Sequence, residues 1–224
     1  MPITRRRLIA ISAALTVLPA AARASRQTTR QWTGQALGAR ASIRLDHPDG
    51  EAIAARVMAE IDRLEDILSL YRPGSALARL NREGFLAAPP FELLECLSLA
   101  GAVHRTSGGR FDPTVQPLWA LWANAAATGA RPDAEAIEKA RDKTGWGKVE
   151  LSEDRITMRS GMAMTLNGIG QGYVADRVAA LLEADGLGNI LIDTGELRAL
   201  GGTPDGGNWP VKLETGERLE LRQR

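Results

Sequence analysis

Apolar and polar positions change period several times along this chain, and each change marks an element. Ala39, Ala41, Ile43 and Leu45 alternate with polar neighbours, the period-two pattern of a half-buried strand. Asp49-Gly50 then turns the chain. From Glu51 to Leu70 the period becomes helical, with Ile53, Val57, Ile61, Leu64, Ile67 and Leu68 on one face. Pro89-Pro90 opens a second helix that runs to about Ser107, where Gly108-Gly109 stops it. A charged helix is predicted over Pro132 to Lys143. Lys148 to Leu151 and Arg155 to Arg159, separated by Ser-Glu-Asp, suit a hairpin. Tyr173 to Ala184 reads as a helix ended near Gly186. Asn189 to Asp193, Arg198 to Leu200, Trp209 to Leu213 and Arg218 to Leu221 read as short, closely spaced strands. Strands clustered in this way, with helices grouped between them, predict an α+β fold rather than a regularly alternating one.

The densest pattern is Thr165-Leu166-Asn167-Gly168-Ile169-Gly170-Gln171-Gly172-Tyr173, where alternating glycines give way to helical periodicity. A strand, a bare-backbone turn and a helix N-terminus would together form an anion site, because free amides and the helix dipole point at the ligand. The spacing is not Gly-x-Gly-x-x-Gly, so a nicotinamide cofactor is not implied. A tight packing turn is the competing reading of the same glycines.

Residues 1–24 read as an export signal. Thr4-Arg5-Arg6-Arg7-Leu8-Ile9 has the twin-arginine pattern, an apolar run follows from Leu8 to Ala22, and Ala22-Arg23-Ala24 offers a small-x-small cleavage site. The run falls short of the roughly 20 residues that span a bilayer, so an uncleaved anchor is the lesser reading. The expected location is periplasmic. Cleavage removes four arginines and no acids, taking the formal charge from +1 to −3, which argues against nucleic acid as a partner. The single cysteine, Cys96, lies in an apolar helical pattern and is expected to be a buried, inert thiol.

Three further places could carry chemistry. Tyr71, one of two tyrosines, sits at a helix-to-turn junction, where it could stack on a planar ring or simply pack. Ser107-Gly108-Gly109-Arg110-Phe111-Asp112-Pro113 fixes a turn that aims amides and a carboxylate. Asp112 is suited to a ribose hydroxyl, to a metal, or to capping that turn. Trp119 and Trp122 follow at helical spacing and are expected in the core. Asp193-Thr194-Gly195-Glu196 ends a strand, where its acids are suited to Mg2+ or to solvent. His47 and His104 receive no role. No zinc spacing, Ser-His-Asp signature or Walker loop is present.

Taken in order, these segments resemble the ApbE family, the FAD:protein FMN transferases, from about Trp32 to Leu213. The matching pieces are Gly34 to Gly38, Tyr71 to Asn81, Ser107 to Pro113, Gly168 to Asp176, Asn189 to Gly195, and Ala199-Leu200-Gly201 through Pro204-Asp205-Gly206 to Trp209. The resemblance implies mixed or antiparallel sheets packed with helices in one domain over residues 25–224. It also implies FAD as substrate, Mg2+, and transfer of FMN to a Ser or Thr of a target flavoprotein, with AMP leaving. Cofactor contacts are implied for Leu37, Tyr71, Arg110, Phe111, Asp112, Thr165 and Gln171, and a metal-facing backbone oxygen for Gly168.

Thr165, Gly168 and Gln171 depart from the family pattern, each losing a charge or a side-chain ligand. Gln171 and the Asp-Thr-Gly-Glu at 193 to 196 resemble the branch associated with nitrous-oxide reduction, which implies a membrane-bound, electron-transfer target. The family also carries a later segment, a His-x-x-Asp-Pro turn followed by Asp-Ala-x-x-Thr-Ala, that holds metal ligands and a candidate base. No counterpart is read after Leu213, so a C-terminally truncated chain is expected, with no catalytic base assigned. Two rival readings stand beside a transferase: a non-catalytic flavin-binding or target-docking module, and an unrelated hydrolase using Asp112 and Asp193 as an acid–base pair across one cleft.

Overall fold

The computed structural model describes residues 29–212 and 215–222; the expected export segment and Leu213 lie outside the described residues. A four-stranded antiparallel sheet has the order β1-β2-β6-β7, formed by β1 (Arg30–Ala36), β2 (Ala39–Leu45), β6 (Ile190–Asp193) and β7 (Leu197–Leu200). A second antiparallel sheet, order β3-β5-β4, joins β3 (Phe85–Ala87), β4 (Val149–Leu151) and β5 (Arg155–Met158). β8 (Trp209–Lys212) and β9 (Arg218–Leu221) form a hairpin. The helices are α1 (Gly50–Leu68), α2 (Ala76–Glu83), α3 (Phe91–Thr106), α4 (Gln116–Ala127), α5 (Ala134–Arg141) and α6 (Gly170–Ala184). The α+β expectation holds. Among the described residues, no helix is long and apolar enough to cross a membrane.

α1 organises the core. Ile53, Val57, Ile61, Leu64, Ile67 and Leu68 are all buried, as their helical spacing predicts. Each is worth about 1.5–3 kcal/mol on burial. That stripe packs on β1, α2, α3 and α6, and joins Ile43, Leu45, Ile190 and Ile192 from the large sheet. The sheet's alternation is strict: Ile43 faces Ile192 across the β2–β6 ladder. On the other face Leu191 and Ala199 pack on Trp209 from the β8–β9 hairpin.

Cys96 is fully buried on α3, and burial pushes its thiol up to about 12. The native protein is therefore expected to resist a colorimetric thiol reagent at pH 8 and to react only after denaturant is added. Rapid labelling without denaturant would contradict this packing.

Trp119 and Trp122 correct an expectation. They are 55% and 46% exposed, and α4 has no buried residue. Helical spacing describes the face correctly, but α4's main contacts among the described residues are α5 and the 3-10 turn Pro113–Val115. None of these covers the tryptophans.

Candidate functional site at the amino end of α6

β1 and β2 are joined by a two-residue turn, since Ala36 pairs with Ala39. Leu37 and Gly38 both have positive φ, 50° and 83°, as the type I′ turn of a tight hairpin requires. Gly38 suits its place twice over: a side chain there would be strained, and its Cβ would sit 2.8 Å from the Tyr71 ring. Leu37, a poor fit for that conformation, is nevertheless buried.

Tyr71 leaves α1 through Ser69, whose Oγ accepts from the amides of Tyr71 (3.1 Å) and Arg72 (3.3 Å). Its ring backs on Gly38 and is 58% exposed. The Tyr71 hydroxyl accepts from Asn167 Nδ2 at 3.2 Å. An exposed aromatic held at both its ring and its hydroxyl is a platform rather than core packing.

The glycine-rich segment is built differently from the predicted strand, turn and helix. Residues 162–166 pair with no strand. Asn81 takes over the role of a ladder neighbour, donating to the Met164 carbonyl (2.8 Å) and accepting from its amide (2.7 Å). The Thr165 amide donates to Pro113 O at 2.8 Å, and the Thr165 hydroxyl accepts from the Asn167 amide at 3.2 Å. α6 begins at Gly170, three residues before the predicted start. Gly168 and Gly170 are absent from the positive-φ residues; close approach is what requires them. A Cβ on Gly168 would lie 3.1 Å from Phe111, and one on Gly170 would lie 2.8 Å from Leu37 Cδ1. Packing and an open helix end thus coexist in one loop.

Leu37, Gly38, Ala39, Tyr71, Asn167 and Gln171 line a cavity of about 230 Å³. Asn167 and Gln171 also line a neighbouring cavity of about 520 Å³, walled by Gly168, Gly172, Leu99, Val103 and Arg198. The α6 N-terminus therefore opens on both. The first-turn amides of a helix lack intrahelical acceptors; here the Leu166 carbonyl takes those of Ile169 and Gly170, and the amides of Gln171 and Gly172 with the helix dipole suit this end to negative charge. Arg198 also reaches this space, with its Nε 3.4 Å from Asp176. Tyr173 closes one wall; burial and its donation to Glu95 Oε2 raise its phenol above the ordinary value, keeping it a neutral donor.

The sequence model of the ApbE family matches residues 37–223. The chain belongs to the ApbE family. That match runs past Leu213, where the resemblance read from the sequence stops. A Klebsiella pneumoniae FAD:protein FMN transferase is 28% identical over 187 residues, covering 77% of this chain and 52% of the relative. A Vibrio cholerae protein of the same name is 29% identical over 196 residues, covering 81% and 58%. The chain thus spans about half the length of the curated relatives it matches. Among solved structures, the apo flavinyl transferase ApbE of Pseudomonas stutzeri superposes with a TM-score of 0.74 at 30% identity, over 87% of this chain and 66% of that one. The flavin transferase ApbE of Vibrio cholerae gives 0.72 at 24%, over 86% and 68%, a likeness of fold.

Against that family background, Leu37, Tyr71 and Gln171 line one cavity, Gly168 and Gln171 line the next, and Phe111 abuts Gly168. The ApbE turn at 110–112 divides its labour. Arg110 is turned back, its Nη1 donating to Ser107 O at 3.1 Å. Asp112 braces the chain: Oδ1 accepts from Thr114 N (2.8 Å) and Thr114 Oγ1 (2.6 Å), and Oδ2 from Trp146 N (3.1 Å). Asp193 lines a separate cavity with Ser42, Arg44 and Lys212. The paired-carboxylate hydrolase reading has no shared cleft to work in. Gly168 offers a metal only its carbonyl, and among the described residues no group of three His, Cys, Asp or Glu is arranged to hold one. The described donor set by itself does not fit a resident Mg2+.

Three contributors escaped the sequence reading: Asn167, which joins Tyr71 to the loop; Glu65, which touches the Leu37 turn; and Arg198. Asn167 was open to detection, as a polar residue inside the glycine pattern. The other two act through contacts far apart in sequence, which no local signal marks.

Proposed function

We propose that this ApbE-family chain binds FAD at the α6 N-terminus and serves FMN transfer to a Ser or Thr of a target flavoprotein. The observation that carries this reading is the convergence of Leu37, Tyr71, Asn167 and Gln171 on one cavity beside that helix end. Tyr71 offers a ring for the isoalloxazine to lie against, and Leu37 an apolar floor. The first turn of α6 places positive potential where the diphosphate would rest. Gln171 supplies hydrogen bonds without charge. The larger cavity, open to the same helix end, gives a target hydroxyl its approach. That hydroxyl would displace AMP from the FMN phosphorus, with positioning and charge stabilisation doing most of the work. In this reading Mg2+ accompanies the diphosphate of FAD, the described residues offering it the Gly168 carbonyl. The proposed setting is the periplasm after twin-arginine export, and the proposed target is a membrane-bound electron-transfer flavoprotein.

The neutral residues at the cofactor loop, Thr165, Gly168 and Gln171, favour one alternative: a flavin-binding or target-docking module on the same scaffold. Incubating the chain with FAD, Mg2+ and a peptide carrying an acceptor Thr separates the two. A peptide mass raised by one FMN is the expected result. FAD binding without an adduct would leave the flavin-binding module; no FAD binding would end the transferase and the flavin-binding module together.

A further inference from the structure

One buried carboxylate touches both halves of the flavin wall. Glu65, on α1, is 8% exposed. Its Oε1 accepts from the Leu37 amide, and its Oε2 lies 2.7 Å from Arg72 Nη2. Its backbone carbonyl accepts from the Ser69 amide at 3.1 Å, and Ser69 Oγ in turn holds the amides of Tyr71 and Arg72. The Leu37 amide is the outward donor of a two-residue hairpin turn, in a backbone conformation that costs a non-glycine residue energy. Buried and outward-facing, it needs an acceptor from elsewhere. Leu37 then presses on Gly170 at the start of α6. A line of contacts thus runs from α1 through Glu65 and Leu37 to the helix end that faces the cavity.

We infer that Glu65 is a positioning residue for flavin binding, its carboxylate fixing the Leu37 turn and the Tyr71 turn at one separation across the cavity. This rests on the flavin reading of the site. A charged group is well suited to the task because its hydrogen bonds are about twice as strong as neutral ones. The site also isolates the effect. Arg72 keeps Asp62 (2.6 Å) and Asp66 (2.7 Å) when Glu65 is replaced, so no unpaired cation is left behind. The apolar stripe of α1 holds the helix without Glu65.

The test compares Glu65→Ala, Glu65→Gln and the control Arg63→Ala. Arg63 pairs with Glu60 and Glu92. Two measurements are made on the full chain: hydrogen exchange without flavin, and FAD titration by flavin fluorescence. Glu65→Ala is expected to speed exchange about tenfold in segment 35–39, and to raise the FAD Kd about tenfold, the effect of one lost hydrogen bond to a charged group. Glu65→Gln retains an acceptor for Leu37 and is expected to restore the Kd to within about threefold. Arg63→Ala should change neither readout. Unchanged exchange at 35–39 in Glu65→Ala, or equal effects of Glu65→Ala and Arg63→Ala, would overturn the inference. If exchange responds as expected but the unmodified chain binds no FAD, the tie between the turns stands and the flavin reading falls. If Glu65→Ala does not fold, Glu65→Gln carries the test: its neutral, weaker acceptor is expected to speed exchange at 35–39 by about threefold, and no change there overturns the inference.

Discussion

Asp112→Ala is expected to lower the unfolding free energy by about 2–4 kcal/mol, and to do so before any question of flavin binding arises. Three donors lose their acceptor at once: the amide and hydroxyl of Thr114, and the Trp146 amide. Thr114 is fully buried, so water cannot readily replace the carboxylate. Hydrogen bonds to a charged acceptor contribute about 1.5–3 kcal/mol each, and stranded buried donors about 1–3. The net loss is smaller than their sum because the Asp112 side chain keeps 22% exposure, so water reaches part of the vacated place. The loss also reaches beyond the turn. Thr114 Oγ1 accepts from the Gly145 amide at 2.7 Å, so the 112–114 corner fastens the 145–146 segment from two points. Asp112→Asn keeps an oxygen for Thr114 and turns an amide group toward the Trp146 N–H, so it should cost about half as much. Urea unfolding at constant slope is the measurement. An Asp112→Ala protein as stable as the parent, yet unable to bind FAD, would show that the carboxylate serves the ligand instead of the turn.

The ease with which this site could be read from sequence follows the range of its forces. α1 was legible because six apolar side chains at helical spacing meet one core, and all six are buried. β2 was legible because Ala41, Ile43 and Leu45, at alternate positions, all reach that core. β1 was not, since Arg-Gln-Trp-Thr-Gly-Gln-Ala is an edge strand whose sequence shows little alternation. Its place comes from the tight Leu37-Gly38 turn. α2 is only eight residues long, too short for its period to stand out, although its cap signals were present: the Ser75 side chain accepts from the Ala78 amide, and Gly84 ends the helix at φ 74°. The site divides in the same way. Tyr71 and Gln171, to which the resemblance assigns cofactor contacts, line the cavity, while Asp112 is engaged by its own chain. A short-range motif fixes that an acid stands in the turn; only the fold decides whether that acid faces inward or outward.

Gly168→Val and Gly172→Ala should behave in opposite ways, although both sit in the same glycine pattern. A Cβ at Gly168 falls 3.1 Å from the Phe111 ring. That single atom asks for a shift of a few tenths of an ångström; the two further methyls of valine cannot be accommodated without parting the 111 corner from the 168 turn. Overpacking of this kind costs about 1–3 kcal/mol. Thr165 is tied to Pro113 O on the same seam, so the displacement carries into the cavity wall, and FAD affinity should fall by about tenfold to a hundredfold. At Gly172 an added Cβ meets nothing within 4 Å, and the residue lies in the first turn of α6. Alanine there restricts the unfolded chain and favours the helix, so stability should rise by about 0.5–1 kcal/mol. Thermal melts of both variants, with FAD titrations alongside, decide the matter. A Gly168→Val protein that melts with the parent and binds FAD equally well would mean that the Phe111 corner and the α6 loop do not act as one wall. The proposed phosphate seat would then lose the support on which it is built.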